Sequence, residues 1–268
     1  MTTSWPEPGL RLIGGVPTGS LPTLLSFRMV SMDPMVLFED EFILVVEKPA
    51  GLVVHDGDDS VAGWFLRKTP TIKNQSWPDP TRPGIVHRLD QETSGALVLA
   101  KTTESLRKLQ EAFKAHEIKK IYWALVFGHP DPEQGSVDVA IGRHPNRKTP
   151  MTVIPVEEVA RGKVRAASTE YRTIKNFKEA ALVEAILHTG RTHQIRLHMK
   201  YLGHPILGDD IYNTKPSKRF SKEHGITRQM LHAKILGFSH PETGEWVECT
   251  AALPSDFQKT IDRLEQRV

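Results

Sequence analysis

Short apolar runs recur along most of this chain, and few helical segments separate them. Seven runs have the length and composition of β-strands, and they cover residues 36–38, 42–46, 52–54, 96–100, 121–127, 168–174 and 180–187. Helical spacing of apolar residues is found at residues 102–116 and 192–202, with a weaker helix expected near residues 60–67. Because strands outnumber helices and do not alternate regularly with them, the sequence predicts an α+β fold. We expect a mixed, largely antiparallel central sheet with flanking helices, and not a doubly wound nucleotide-binding fold.

The two ends of the chain differ from its middle. Residues 1–34 contain nine Gly and Pro residues, carry no net formal charge and show no periodicity. Such a segment has little apolar surface to bury, so we predict a poorly ordered N-terminal extension over residues 1–35. Residues 36–255 contain the regular patterns and are predicted to form one domain, and residues 256–268 are predicted to be a C-terminal tail.

The distribution of charge suggests a polyanionic partner. The formal net charge is only +3, so a nucleic-acid footprint must come from where the charges lie. Residues 143–165 contain six basic residues against two acidic ones, and residues 215–234 contain six against one. Two basic, irregular segments on a near-neutral body indicate a side that faces a polyanion. Charge runs are also common on solvated surface loops, so the charges alone leave both interpretations open.

Several cofactor and metal sites are not indicated by the sequence. It contains no GxxxxGKS/T phosphate loop, no GxGxxG stretch and no GxSxG elbow, so we expect no nucleotide cofactor and no serine nucleophile. Four histidines lie close together in the sequence, at positions 188, 193, 198 and 204. On a helix, His193 and His198 would stand about 140° apart and could not share a face. The sequence therefore predicts neither a metal nor a cofactor.

The chain also has the sequence features of a cytoplasmic protein. Its single cysteine, Cys249, excludes a disulfide framework and fits a reducing compartment. The longest apolar stretches are far shorter than the roughly 20 residues that span a bilayer, and no secretory signal pattern is present. We expect a cytoplasmic protein that does not enter a membrane.

One stretch carries candidate chemistry. His87-Arg88-Leu89-Asp90-Gln91-Glu92-Thr93-Ser94-Gly95 leads directly into the apolar strand at residues 96–100. A carboxylate on a tight connection before a strand can be presented at the floor of a cleft. The same residues also fit a capped turn, in which Asp90 accepts hydrogen bonds from nearby amides. The residues by themselves do not decide between these two interpretations.

The wider pattern resembles a known family. The stretch from His87 to Gly95, followed by Ala100-Lys101, resembles the signature of the RluA-type pseudouridine synthases. Further family motifs are matched in order over residues 36–255, and they are Lys48-Pro49-x-Gly51-Leu52-x-x-His55, Lys119-Lys120-x-Tyr122-x-Ala124-x-Val126-x-Gly128, Thr189-Gly190-Arg191-Thr192-His193-Gln194-Ile195-Arg196-x-His198, Gly203-His204-Pro205-Ile206-x-Gly208-Asp209, Leu231-His232-Ala233 and His240-Pro241-x-Thr243-Gly244. The chain departs from the family at Asn213, where Gly is frequent, and in residues 1–34, which are too short for the S4-type domain of many relatives.

The resemblance implies an activity and three catalytic residues. The chain would convert uridine to pseudouridine in RNA, without a cofactor and within the catalytic cleft of the pseudouridine synthase fold. Asp90 would attack the ribose or the uracil, or would remove a ribose proton. Arg191 would pair with Asp90 and favour its ionised form. Tyr122 would stack on the uracil and help to take the C5 proton.

The resemblance and the basic segments together suggest how RNA is bound. The target uridine must leave its stack to reach Asp90, so base flipping is implied. Arg88 is expected to enter the RNA near the vacated position. The other expected RNA contacts are His87, Arg143, Arg147, Lys148, Arg196 and His198. We expect rRNA of the large subunit as the favoured substrate, with tRNA as the alternative, and a monomeric enzyme.

Two alternatives come from other functional classes. A non-catalytic RNA-binding or ribosome-assembly protein could retain the same fold, but it would be expected to lose Asp90, Tyr122 or Arg191, and all three are present. An RNA-directed hydrolase would need a metal or a second carboxylate to activate water. Glu92 is the only acidic residue near Asp90 in the sequence, and nothing marks it as a partner.

Overall fold

A computed structural model describes residues 33–143, 151–154 and 165–266. The described residues form eleven strands, five α-helices and one 3₁₀ helix at Pro70–Asn74. The strands are β1 (Met35–Glu39), β2 (Ile43–Lys48), β3 (Ser94–Ala100), β4 (Lys119–Phe127), β5 (Gln134–Asp138), β6 (Ala140–Gly142), β7 (Thr152–Ile154), β8 (Ser168–Asn176), β9 (Ala180–Leu187), β10 (Leu231–Ser239) and β11 (Trp246–Thr250). The α-helices are α1 (Val61–Lys68), α2 (Thr103–Ala115), α3 (Gln194–Tyr201), α4 (Lys215–Glu223) and α5 (Ser255–Glu265).

Nine of the strands form one mixed sheet, in the order β1-β2-β3-β10-β4-β9-β8-β5, with β11 also paired to β10. Every pair is antiparallel except β3 with β10, which run parallel. Strands β6 and β7 form a separate antiparallel pair. The predicted α+β class with a mixed, largely antiparallel sheet is confirmed. The late strand β10 inserts between β3 and β4, so three distant parts of the sequence meet at the sheet centre.

The centre of the sheet is also the centre of the core. All seven residues of β3 are buried, and Leu106 and Leu109 of α2 belong to the same apolar cluster. Helix α2 begins as the sequence predicts, because the side chain of Thr102 accepts the amide of Ser105. It ends at His116, whose left-handed backbone closes the last turn. Strand β3 is therefore buried in the core, with helix α2 packed against it.

Three predictions about the elements are wrong. Residues 52–54 do not form a strand, because the carbonyls of Val53 and Val54 accept the first amides of α1 instead of joining a ladder. Residues 215–234 are not irregular, since they contain α4 and the start of β10. Residues 256–268 are not simply a tail: α5 reaches Glu265 and buries apolar residues one turn apart, which are Phe257, Ile261 and Leu264.

The predicted N-terminal extension over residues 1–35 lies almost wholly outside the described residues, which begin at Asp33. Its last residue, Met35, is already the first residue of β1. No helix in the described part of the chain is both long enough and apolar enough to cross a bilayer.

Candidate active site

A buried lysine holds the loop that carries Asp90. Lys48 is 0% exposed, and its ammonium donates to three backbone carbonyls, at 2.8 Å to Pro49, 2.7 Å to Leu52 and 2.9 Å to Gln91. Burial lowers the pKa of Lys48 to about 7, although the nearby negative charges oppose the shift. Each of the three ammonium protons has an acceptor, so Lys48 ties the backbone at Gln91, next to Asp90, to the end of β2.

Two side chains from the segment before β10 hold the next part of the same loop. Arg228 donates at 3.1 Å to the carbonyl of Glu92 and makes a two-pronged pair with Asp256, at 2.6 and 2.9 Å. Gln229 donates at 2.7 Å to the hydroxyl of Thr93. The loop is thus anchored by side chains to the segment before β10, as well as to β2 through the buried lysine.

A glycine allows β3 to approach β10 closely. Gly95 has a φ of +117°, and a Cβ placed on it would lie 2.2 Å from the carbonyl oxygen of Ala233. Ala233 in turn pairs with Tyr122 of β4, so the start of β3 is set against the tyrosine strand. The neighbouring Ser94 hydroxyl lies 2.9 Å from Nδ1 of His232, and burial lowers the pKa of His232 to about 4. Glycine is required at position 95, because a Cβ there would collide with the backbone of β10.

The carboxylate of Asp90 is held by a buried arginine. Arg196 of α3 donates from Nη1 to Asp90 Oδ2 at 3.1 Å. Its other two nitrogens donate to Asp209, from Nε at 2.6 Å and from Nη2 at 3.0 Å. Arg196 is only 4% exposed. Burial would raise the pKa of Asp209, but the hydrogen bonds and charge of Arg196 outweigh it and hold that pKa below its ordinary value. A chain of two carboxylates and one guanidinium therefore fixes the orientation of Asp90.

The predicted pair between Arg191 and Asp90 is wrong. Arg191 donates from Nε at 3.0 Å to the carbonyl of Ala166, and no ion pair joins it to an acid in the described residues. The side chain of Gln194 accepts the amide of Arg191 at 2.9 Å, so α3 begins two residues later than predicted. Arg191 therefore precedes the helix and lines the edge of the cavity described below, while Arg196 reaches the carboxylate.

The predicted phosphate contacts on α3 are also wrong. Residues 194–199 are all buried, so α3 is a core helix and not a surface helix. Arg196 is used by the two carboxylates, as described above. His198 is 0% exposed and lies 2.9 Å from the hydroxyl of Thr169 and 3.3 Å from the carbonyl of Val139. Burial lowers the pKa of His198, which disfavours a positive charge there. Neither residue presents a charge to RNA.

The sequence analysis missed His193 and Tyr212 as site residues. His193 has a left-handed backbone, with φ of +58°, at the start of α3. Its Nε2 lies 3.8 Å from Oδ1 of Asp90, and its Nδ1 lies 2.9 Å from the hydroxyl of Tyr212. The guanidinium of Arg196 lies 5.1 Å above the Tyr212 ring. His193 stands within a matched motif and Tyr212 follows one by three residues, but only the fold shows that they meet beside Asp90.

A cavity of about 230 Å³ opens beside Asp90. It is walled by residues of β4, α2, the start of β10 and the loops before β3 and α3, which include Tyr122, Lys120, Phe113, His87, Arg191 and Leu231. Burial, and then the charge of Asp90, raises the pKa of Tyr122 well above its usual range. The hydroxyl of Tyr122 is therefore a neutral phenol that faces the cavity.

The remaining predicted RNA contacts lie in different surroundings. His87 stacks on Phe113 with ring centres 4.5 Å apart, and its Nε2 accepts the amide of Val98 at 3.3 Å. Burial and the charge of Lys120 lower the pKa of His87 to about 3, so it forms a neutral wall of the cavity and offers no charge to phosphate. Arg88 is exposed at the rim, as expected of a residue that meets RNA. Arg143 is exposed, and Arg147 and Lys148 lie outside the described residues.

Among the residues that the structure describes, no group of three His, Cys, Asp or Glu side chains is arranged to hold a metal ion. The four histidines that are close in sequence take separate hydrogen bonds, as His193 and His198 show.

Comparison with known proteins identifies the family. The family model described as RNA pseudouridylate synthase matches residues 42–201, which include the Asp90 loop, Tyr122 and Arg196. The chain belongs to this family. It is therefore an RNA pseudouridine synthase, an isomerase that acts on RNA. The resemblance that the sequence motifs indicated is confirmed.

Relatives of the synthase are similar over most of its length. It is 38% identical over 255 residues to an uncharacterized RNA pseudouridine synthase of Synechocystis sp., covering 93% of this chain and 75% of that one. It is 41% identical over 229 residues to ribosomal large subunit pseudouridine synthase D of Zymomonas mobilis, covering 83% of this chain and 70% of that one. The solved structure of human RNA pseudouridylate synthase domain containing 4 matches with a TM-score of 0.69 at 27% identity, over 86% of this chain and 93% of that one.

Proposed function

We propose that this synthase isomerises specific uridines in large-subunit rRNA, with tRNA as a further substrate class. The observation that carries the proposal is the Asp90 carboxylate, which Arg196 holds at the wall of a cavity that also contains Tyr122. The preference for large-subunit rRNA is supported by similarity to proteins named ribosomal large subunit pseudouridine synthase D in Zymomonas mobilis and Yersinia pestis. Such a substrate would place the enzyme in the cytoplasm.

The reaction would begin with Asp90. A flipped uridine would enter the cavity with its ribose beside the carboxylate, at a cost of a few kcal/mol for unstacking. The hydrogen bond from Arg196 fixes one oxygen of the carboxylate, which leaves the other for the ribose. Two routes fit this arrangement: Asp90 bonds covalently to the nucleoside, or it removes a ribose proton and the N1 bond then breaks.

Tyr122 would hold the detached base and assist the last proton transfer. Its ring lines the cavity on the side of β4, where a base can stack on it. Because its pKa is raised, the hydroxyl meets the substrate as a neutral phenol. It can accept the C5 proton only while it passes its own proton onward, so we assign it a proton relay and not a permanent base.

RNA outside the cavity would be held by exposed basic side chains. Arg88 stands at the rim beside Asp90. Helix α4 follows the Asp209 segment, and its exposed cations lie on one face at helical spacing, namely Lys215, Lys218, Arg219 and Lys222. Phosphate contacts of this kind fix position and carry no base specificity. We propose that α4, Arg88 and the basic residues Arg143, Arg147 and Lys148 together contact the RNA backbone.

The substrate proposal is tested by mapping pseudouridine in total RNA from cells with and without the gene. We expect the loss of one or a few sites in large-subunit rRNA, and restoration by the wild-type gene but not by an Asp90→Asn gene. The purified protein should modify the same site in a transcript of that region. Loss of sites in tRNA alone, or no loss of any site, would contradict the proposed substrate.

A further inference from the structure

Lys120 lies deep in the cavity beside the proposed base platform. It stands two residues before Tyr122 on β4, so both side chains leave the same face of the strand and both line the cavity. Lys120 is 6% exposed, in contrast to its neighbour Lys119, which is exposed and pairs with Glu248 at 3.0 Å. The two adjacent lysines therefore differ in face, burial and partner.

The ammonium of Lys120 has no acceptor of its own in the described residues. It makes no ion pair and no hydrogen bond there, and its Nζ lies over the Phe113 ring, 5.8 Å from the ring centre. Around it stand Arg191 from the loop before α3, His87 from the loop before β3, and Tyr122. Burial, and then the charge of Arg191, lowers the pKa of Lys120 to about 8, so it still carries a proton at neutral pH.

An unpaired charge in such a place is unfavourable for folding. Burying an ammonium without a partner costs free energy unless an acceptor is supplied. The other deeply buried lysine, Lys48, uses all three of its protons on backbone carbonyls. Lys120 instead faces the space where the proposed function places the flipped base. Its missing acceptor is therefore expected from the substrate.

We infer that Lys120 donates a hydrogen bond to a carbonyl oxygen of the flipped uracil and stabilises the negative charge that the base carries once it is detached. This inference rests on the proposed function and adds a residue to its site. A backbone phosphate is a less suitable acceptor, because Lys120 is buried beside the tyrosine platform, whereas a phosphate is charged and is expected at the exposed rim near Arg88. Residues two apart on a strand are separated by about 6.8 Å, so a base stacked on Tyr122 can present its edge to Lys120.

A cation at this position would stabilise the negative charge that the reaction develops on the base. When the N1–C1′ bond breaks, its electron pair remains on the uracil and is shared with the carbonyl oxygens O2 and O4. The negative charge of Asp90 is consumed at the same time, either in a bond to C1′ or by the proton taken from C2′. When C5 bonds to C1′, the pair enters the new bond. On the covalent route the bond from Asp90 to C1′ breaks at this step, and on the other route Asp90 first returns its proton to C2′. The C5 proton then leaves through Tyr122, and N1 takes up a proton, so that Asp90 is regenerated and the base is neutral again. Lys120 thus compensates charge where it develops, and it neither gains nor loses a proton.

The test compares Lys120→Met with Lys119→Met as a matched control. At saturating RNA, Lys120→Met should lower the single-turnover rate by about 10²–10³-fold, the usual effect of removing one donor to a developing charge. Its RNA Kd should stay within about threefold of wild type. Lys119→Met should change neither quantity. The melting temperature of Lys120→Met should be unchanged or raised, because the variant removes an unpaired buried charge, whereas a structural role predicts a lower one.

A second substrate separates charge stabilisation from positioning. Fluorine at C5 withdraws electrons from the detached base, so a 5-fluorouridine RNA needs less help to break the N1–C1′ bond. Because C5 of this base has no proton to lose, the rate compared is that of N1–C1′ bond breaking. The loss of that rate from Lys120→Met should be at least about tenfold smaller on this RNA than on uridine RNA. Lys120→Arg, which keeps the charge, should retain more activity than Lys120→Met on both.

Each outcome has a separate meaning. Equal rates for wild type and Lys120→Met, or an equal rate loss on both substrates, would refute the role of Lys120. Neither result would bear on the proposed function. Weaker RNA binding with an unchanged rate would show a phosphate contact instead. Absence of wild-type turnover on the rRNA transcript would refute the proposed substrate, and this is read from the wild-type protein without reference to the variants.

Discussion

Replacement of Arg196 by Met should destabilise the protein and disable the site together. The change removes two hydrogen bonds to Asp209 and one to Asp90. It leaves the carboxylate of Asp209 buried without a counter-charge, which costs about 3–5 kcal/mol in comparable pairs. For a domain of this size, the melting temperature should fall by roughly 6–20 °C. Met fills a similar volume, so the loss of charge dominates over any cavity.

The control for this prediction is Arg191→Met. Arg191 makes one hydrogen bond to a backbone carbonyl at the edge of the cavity, so its replacement should cost less than about 1 kcal/mol. Urea unfolding followed by circular dichroism gives both free energies of unfolding, with the slope showing whether the unfolded state is comparable. A loss below about 1 kcal/mol for Arg196→Met would refute the claim that the variant leaves Asp209 buried without a counter-charge.

Acid and a double variant sharpen the same test. Because the pKa of Asp209 is lowered in the folded state, its contribution is present above the ordinary carboxyl value and is lost as pH falls through the folded value. Wild type should therefore lose stability in acid more steeply than Arg196→Met, in which this contribution is absent. The double variant Arg196→Met/Asp209→Leu should regain much of the stability, since apolar replacements of buried pairs are often neutral, and should remain inactive.

The remaining predictions concern strand packing, pH and RNA binding. Gly95→Ala should lose about 1–3 kcal/mol or more in urea unfolding, and lose turnover, because its Cβ would strike the carbonyl of Ala233; wild-type stability would exclude this reason. His232 has a folded pKa of about 4, so its neutral form stabilises the protein near pH 7 and this contribution falls away as pH drops from 6.5 towards 4. The loss should be on the order of 3 kcal/mol, and His232→Gln should have a flatter stability profile over that range. Replacing Arg143, Arg147 and Lys148 together by Ala should weaken RNA binding about equally for all RNA sequences. It should also flatten the plot of log K against log salt by up to about 0.7 per lost contact. Unchanged affinity and slope would show that these charges do not touch RNA.

The fold class was predictable because most strands and two helices of this chain show clear local patterns of apolar residues. Apolar periodicity and cap residues located β3, α2, β4 and β9 within a few residues of their observed bounds. The strand β10 and helix α5 were missed. Leu231–Ser239 mixes apolar and polar residues, so it shows no clear strand pattern. It is nevertheless buried at the sheet centre, since it pairs with β3 and β4. That pairing joins segments more than 100 residues apart, which no local pattern contains.

The candidate site was predictable in its residues and less so in their pairing. Asp90 and Tyr122 meet at one cavity, as the motifs implied. The arginine beside Asp90 was misassigned because Arg191 and Arg196 lie on one short motif, and the choice depends on where α3 begins. The burial of α3 is set by packing against β8 and by the Asp209 segment, so its charged residues resembled a surface helix in sequence alone.

The central claim is that Asp90 performs the isomerisation, and Asp90→Asn tests it most directly. The amide keeps the size of the side chain but cannot act as a carboxylate nucleophile or base. With an rRNA transcript whose uridines carry tritium at C5, wild type should release tritium as C5 bonds to the ribose. The variant should release none above background, while its RNA Kd stays within about tenfold of wild type. Substantial tritium release by Asp90→Asn would contradict the account.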